Sequence, residues 1–386
     1  MTVQLISANH AAAMAATLAG RANRNARGFG GGIYPITPQT ECIELLAKQE
    51  FEKGGVIPVE SEHSAMAVCM GVSLGGARSF TASASNGLAY MAENVVAAGM
   101  YRLPILMMAV NRTLGPPWNI WVDHGDTLML RDSGWMHIYC EDNQEVLDSI
   151  LFGYRLAEDP RVLLPIMICQ DAFVLSHTMM QTDIPDQEMV DRFLPDLDLP
   201  HRLHNDAVTV GGLDFPHETE VHRAQHQEAM DVVPEVFAEI QDEFEQIFGR
   251  RPADRIVPYR MEDAKYAVVS MGTTALTVRV AVDAMREKGI PVGAVRMRML
   301  RPYPEKEMIA ALSGCEKVAI LDRDISLGHG GVLWSETRGT VPPGCVVQGT
   351  MLGLGGGDIR PQHIEEVIED LLGRTEAGAP VIKEVM

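Results

Sequence analysis

Two periods alternate along this chain. Over 8–18, 39–52, 62–74, 88–100 and 146–157, apolar residues recur at helical spacing and predict amphipathic helices. Between them lie short runs, 56–60, 78–82, 104–110 and 163–170, the longer of which are apolar almost throughout. A strand that is apolar on both faces is covered on both, so regular alternation of such strands with helices predicts an α/β fold built on a parallel sheet. The stretch from Gly28 to Pro38 reads instead as a glycine-rich segment leading into a proline-bounded loop. The pattern changes near residue 193. From there to about 260 the chain is rich in His, Asp, Glu and Pro. It holds one long helix over 232–248, with Glu235, Glu239, Asp242 and Glu245 toward solvent. Alternation resumes at Lys265, with strands over 266–270, 292–297, 318–321 and 345–349 and helices over 274–288 and 364–372. The expected organisation is a first α/β domain over 1–192, an acidic, partly helical connector over 193–262, and a smaller α/β domain over 263–386.

Composition narrows the setting. Of 386 residues, 46% are hydrophobic and 22% charged, which is ordinary for a globular chain. The formal charge of −20 argues against a nucleic-acid or anionic-membrane partner. The longest apolar region, 87–110, is interrupted by Glu93, Asn94 and Arg102 and reads as helix then strand rather than a membrane span. The alanine-rich stretch 11–19 follows no positive segment and its core is Ala and Met rather than Leu, so it does not read as a secretion signal and a cytoplasmic location is expected. No two of the six cysteines are close enough for C-x-x-C, and several sit in apolar runs. They are expected to be buried structural thiols in a reducing compartment, with neither an iron–sulfur cluster nor a metal on this chain.

Three glycine clusters, Gly28-Phe-Gly-Gly-Gly32, Gly328-His-Gly-Gly331 and Gly353-Leu-Gly-Gly-Gly357, invite a nucleotide reading, but none is a full G-x-G-x-x-G and no P-loop occurs. Tight turns and close backbone approach account for them better. His217, His222 and His226 miss H-E-x-x-H because the second histidine falls at i+5. They are expected on the surface of a charged helix. Three other residues carry more chemistry. Glu62 stands where a short strand turns into a helix, at the end of the sheet where α/β proteins place their sites, and its carboxylate could share a proton with a ligand nitrogen or simply cap the helix. Arg112 follows an apolar strand, where a guanidinium can grip a carboxylate or merely face water. Thr37 is held between Pro35 and Pro38, which aims its hydroxyl or makes it an ordinary turn residue. The loop from Pro116 to Asp126 is dense in aromatic and polar residues, as functional loops are.

Taken together, Tyr34-Pro-Ile-Thr-Pro-Gln-Thr40, Glu60-Ser-Glu62, Gly115-Pro-Pro-Trp-Asn-Ile-Trp121, Asp123-His-Gly-Asp126, Arg131-Asp-Ser-Gly-Trp135 and Leu175-Ser-His177 resemble the α subunit of the 2-oxoacid:ferredoxin oxidoreductases of the pyruvate type. So do Gly272-Thr-Thr274, Arg296-Met-Arg-Met-Leu-Arg-Pro-Tyr-Pro304, Leu321-Asp-Arg-Asp324 and Gly353–Asp358 in the second half. The resemblance implies a thiamine-diphosphate-binding fold of the pyrimidine type, followed by a transketolase-C-like domain. It implies that Glu62 exchanges a proton with the aminopyrimidine ring, with Tyr34, Pro35 and Ile36 beside the cofactor. Thr37 and Arg112 would hold the 2-oxoacid. It further implies a β subunit supplying Mg²⁺, diphosphate contacts and a cluster, a γ subunit, a ferredoxin-like δ subunit with further iron–sulfur clusters, and coenzyme A as acyl acceptor. The substrate class spans pyruvate, branched-chain and aromatic acids such as phenylglyoxylate. Two other readings share the pattern: an E1β-like subunit of a 2-oxoacid dehydrogenase, and a non-catalytic scaffold.

Overall fold

The computed structural model describes residues 2–203 and 209–385. The first half runs β1 (Thr2–Ile6), α1 (Ala8–Ala22), β2 (Phe29–Ile33), α2 (Thr40–Ala47), β3 (Gly54–Pro58), α3 (Glu62–Leu74), β4 (Arg78–Ser83), α4 (Ser85–Tyr90), α5 (Ala92–Met100), β5 (Ile105–Asn111), α6 (Gly125–Leu128), β6 (Met136–Tyr139), α7 (Asn143–Ala157), β7 (Ile166–Asp171), β8 (Met180–Ile184) and α8 (Gln187–Phe193). The second runs α9 (Pro216–Phe248), β9 (Ile256–Tyr259), β10 (Tyr266–Met271), α10 (Thr274–Glu287), β11 (Val292–Met297), β12 (Met299–Arg301), α11 (Glu305–Leu312), β13 (Lys317–Asp322), α12 (Val332–Thr337), β14 (Val346–Leu352), α13 (Pro361–Gly373) and β15 (Val381–Lys383).

The larger sheet has the order β12-β6-β7-β5-β4-β2-β3 and is parallel except for β12. The second, β15-β14-β13-β10-β11-β9, is parallel except for β9. A short antiparallel pair, β1 with β8, lies apart. Every residue of β4, β5 and β7 is buried, as their apolar runs require of a sheet covered on both faces.

Four departures from the sequence pattern have clear causes. The glycine-rich stretch is not a turn but β2, an interior strand. A Cβ on Gly31 would lie 1.9 Å from the Phe80 carbonyl oxygen, and one on Gly32 2.4 Å from that of Ala65, so β4 and α3 close on this strand until no side chain fits. The single helix expected over 88–100 is divided at Met91 into α4 and α5. The strand expected over 56–60 is the half-exposed edge strand β3, which ends before Glu60. Finally, α9 begins at Pro216, well before the helix read over 232–248.

That extension changes the fate of one histidine. Val233, Phe237, Ile240, Phe244 and Phe248 carry α9 into the first core against α7 and α8, while Glu235, Glu239, Asp242 and Glu245 face water as their spacing predicts. His226 is not on the surface. It is buried, with its ring Nε2 3.0 Å from the Gly134 carbonyl. His222 stays exposed, paired with Asp214 at 2.6 Å.

The two sheets are joined in three ways. β12, a second-half strand, closes the edge of the first sheet on β6. A common core contains Trp135, Tyr139 and Met167 together with Val295, Met297, Leu300 and Ile320. Beside it, Glu145 accepts from Arg296 Nη1 at 2.7 Å and Arg298 Nε at 2.5 Å, and both guanidiniums are buried. The six cysteines are free thiols, five of them buried. Among the described residues no helix is long and apolar enough to cross a membrane.

Candidate active site

Ser61 caps α3 by accepting from the Ser64 N–H at 3.2 Å, which turns the chain after the edge strand and drives Glu62 inward. Glu62 is 8% exposed, and its carboxylate has no hydrogen-bond partner among the described residues. It rests on Gly87 in α4. A Cβ there would lie 2.7 Å from Glu62 Oε1 and 2.4 Å from Ser83 Oγ. Glu60 points elsewhere. It is exposed and accepts from Ser64 Oγ, which lowers its pKa.

Arg112 follows β5 and is half-buried. Its Nη1 donates to the Thr37 carbonyl at 2.7 Å and its Nε to the Asn119 carbonyl at 3.2 Å. Nη2 has no partner, and no carboxylate lies within ion-pair distance of the guanidinium, among the described residues. Burial lowers its pKa. Arg112 and Thr37 are thus brought into direct contact, with the Thr37 side chain exposed. Tyr34, Pro35 and Ile36 lead from β2 into that contact. Tyr34 offers its carbonyl to Gln39 Nε2 at 2.8 Å, Tyr34 and Ile36 are half-buried, and Pro35 is exposed. The turn at the start of α4 links Glu62 to the loop that begins at Arg112. There Ser85 Oγ donates to the Thr113 carbonyl, and Asn86 Oδ1 accepts from the Gly115 N–H at 3.1 Å.

The motif Asp123-His-Gly-Asp126 reads in sequence as part of a polar loop, yet two of its members are buried with specific tasks. Asp126 accepts from four donors: Ser85 N–H (2.8 Å), Arg112 N–H (3.0 Å), Asn111 Nδ2 (2.9 Å) and Thr127 N–H (2.8 Å). Burial pushes its carboxyl up to about 7 against the pull of those donors. His124 Nε2 meets Asp171 Oδ1 at 2.8 Å. Burial opposes charge on His124, but Asp171 outweighs it and raises the pKa. Burial would likewise raise Asp171, but His124 and Arg323 hold it at about 2. Asp171 also accepts from Thr273 in the second half, so the pair ties the two sheets behind the candidate site. The third glycine cluster completes this junction. Gly353, Gly355 and Gly356 have positive φ, Asn119 Nδ2 donates to the Gly355 carbonyl at 2.9 Å, and a Cβ on Gly356 would lie 2.3 Å from Trp121 Cβ.

A parallel sheet covered on both faces and joined to a second, largely parallel α/β unit is the architecture of a thiamine-diphosphate-binding fold of the pyrimidine type with a transketolase-C-like domain. The chain belongs to the pyruvate flavodoxin/ferredoxin oxidoreductase family: residues 31–242 match its thiamine-diphosphate-binding model and 264–364 the pyruvate:ferredoxin oxidoreductase core domain II. It is 42% identical to pyruvate synthase subunit PorA of Methanothermobacter thermautotrophicus over 95% of both chains. It is 39% identical to ketoisovalerate oxidoreductase subunit VorA of Pyrococcus horikoshii over 97% of this chain and 95% of that one. A 2-oxoglutarate:ferredoxin oxidoreductase from Magnetococcus marinus shares the fold with a TM-score of 0.72 at 21% identity, over 96% of this chain and 65% of that one. Both family models belong to the ferredoxin and flavodoxin oxidoreductases, which favours that reading over a dehydrogenase subunit.

The residues present suit one end of thiamine diphosphate. Among the described residues Glu62 is a buried acid without a hydrogen-bond partner, and Gly87, having no side chain, lets the α4 backbone come up against its carboxylate. Among the described residues no group of three or more His, Cys, Asp or Glu is arranged to hold a metal.

Proposed function

We propose that this chain is the α-type subunit of a CoA-acylating 2-oxoacid oxidoreductase and contributes Glu62, Arg112 and Thr37 to a thiamine diphosphate site completed by a second chain. The observation that carries the reading is Arg112. A half-buried guanidinium whose partners among the described residues are neutral carbonyls, in a chain of net charge −20, is a receptor for a small anion. Its unpaired Nη2 and the remaining Nη1 hydrogen offer a fork to a carboxylate, and Thr37 borders the same space. The bound cofactor supplies the electron sink for decarboxylation. Glu62 would hold and return a proton at the cofactor's aminopyrimidine ring, and Tyr34, Pro35 and Ile36 would line the approach. The relatives' names favour pyruvate or a branched-chain 2-oxoacid as substrate. A β subunit supplies Mg²⁺ and the diphosphate contacts. Electrons pass to iron–sulfur clusters on it and on a ferredoxin-like δ subunit, a γ subunit completes the complex, and coenzyme A takes the acyl group. We place the complex in the cytoplasm.

The test is CoA-dependent oxidation of a 2-oxoacid panel by the reconstituted complex, with Arg112→Lys beside the unmodified protein. The lysine keeps the charge and loses the fork, so KM rises and kcat falls. An unchanged kcat/KM removes Arg112 from the site. The shared site also predicts that isolated α chain binds thiamine diphosphate weakly. Tight Mg²⁺-dependent binding by the purified chain, measured calorimetrically, rules out the two-chain arrangement.

A further inference from the structure

We propose that Asp126 is a positioning residue that holds Arg112 and the turn 85–87 at a fixed separation, and so sets the distance between the substrate-binding cation and the floor under Glu62. The inference rests on the assignment of Arg112 to the substrate carboxylate. Asp126 is fully buried at the start of α6, and its four donors come from three different segments. Oδ2 takes the Ser85 and Arg112 N–H groups, while Oδ1 takes Asn111 Nδ2 and the Thr127 N–H. A carboxylate has about four acceptor positions, and here each oxygen carries two donors. Its two nearest chemical relatives serve less well. An asparagine would turn an NH₂ group toward two N–H donors, and a glutamate would be one methylene too long.

The arrangement is unfavourable to stability alone. No cation lies within ion-pair distance of Asp126 among the described residues, and a buried charge without a counter-charge is expensive even when hydrogen-bonded. The turn it holds is strained as well. Ser85 has φ 48°, a left-handed conformation in a residue with a side chain. Two tethers hold it there: its N–H to Asp126, and its Oγ to the Thr113 carbonyl in the loop after Arg112. Two residues further on, Gly87 meets Glu62. One carboxylate therefore fastens the root of the cation and the turn under the acid to the same point. Arg112 must meet the substrate and Glu62 the cofactor that reacts with it, and small misplacements cost rate steeply.

The experiment uses the reconstituted complex and oxamate, an unreactive analogue of pyruvate, as the probe. Oxamate affinity is measured by calorimetry for the unmodified complex, Asp126→Asn, Arg112→Ala and the double variant. Amide hydrogen exchange is followed over 83–88 and 110–116. Asp126→Asn is expected to weaken oxamate about tenfold and to speed exchange in both segments together. Its effect on affinity is expected to vanish in the Arg112→Ala background, because a residue that acts through another has nothing left to position. Ser85→Gly, which keeps the carboxylate but frees the turn, is expected to weaken oxamate several-fold and is the arm that decides if Asp126→Asn does not assemble. An additive loss in the double variant overturns the proposal, as does unchanged affinity in both Asp126→Asn and Ser85→Gly. Unchanged affinity in Arg112→Ala overturns the substrate-anchor reading itself, and this proposal with it.

Discussion

Glu60 and Glu62 are two positions apart and meet opposite environments. Strand periodicity alone puts them on one face, but β3 stops at Pro58 and the capped turn separates them, leaving Glu60 in water with Ser64 and Glu62 buried against Gly87. If Glu62 is the proton-exchanging acid, Glu62→Gln slows exchange at C2–H of bound thiamine diphosphate by more than the roughly 10²–10⁴-fold of an ordinary acid–base residue. Glu60→Gln, by contrast, leaves that exchange within about threefold, since an exposed carboxylate outside the site has no share in the roughly 10²–10⁴-fold term. NMR on both variants of the complex decides. Equal exchange in Glu62→Gln and the unmodified complex shows that another group exchanges the proton. Gly87→Ala probes the same contact from below. Its methyl group must displace Glu62 Oε1 and Ser83 Oγ, at an overpacking cost of about 1–3 kcal/mol. A lower melting temperature and weaker cofactor binding are expected together. A fall in stability with cofactor affinity intact shows that Gly87 serves packing only.

At the scale of elements, the ion pairs between β11, the segment entering β12, and α7 carry a sharp expectation. Glu145→Gln leaves Arg296 and Arg298 buried without their main counter-charge, and chemical denaturation is expected to show a loss of about 3–5 kcal/mol. A loss under about 1 kcal/mol, the range of exposed pairs, contradicts this account. The elements legible in the sequence are those long enough to display a period: α3, α7, α10, and the interior strands β5, β7 and β10. β6, β9 and β12 have only three or four residues, too few to show any period, and β2 hides because its fit demands glycine. The candidate site divides along the same line. Glu62 and Arg112 stand out as charged residues that follow strands, and Thr37 as a hydroxyl fixed between prolines. Asp126, Ser85 and Gly87 do not, since Asp126 and Ser85 work largely on backbone groups and Gly87 by leaving room.

The molecule as a whole has an acid-sensitive seam. Asp171 falls from 3.8 to about 2, and Glu145 from 4.5 to about 2, because cations offset the cost of burial. Depressed carboxyl pKa values contribute stability above their unfolded values and lose it as pH falls through the folded ones. Melting temperature is therefore expected to drop between about pH 4.5 and 2, with the second half separating from the first, and Asp171→Asn is expected to flatten part of that slope. Asp126 acts in the opposite sense. Its raised pKa means that its contribution declines as pH climbs from about 4 toward 7. A melting curve with the same acid slope in Asp171→Asn and the unmodified chain removes Asp171 from the seam. The closure of β6 by β12 also matters during synthesis. As the polypeptide leaves the ribosome, β6 emerges long before its covering strand, with one row of backbone donors and acceptors open to any neighbouring chain. The nascent first half therefore keeps an open sheet edge until β12 has been made and has left the ribosome.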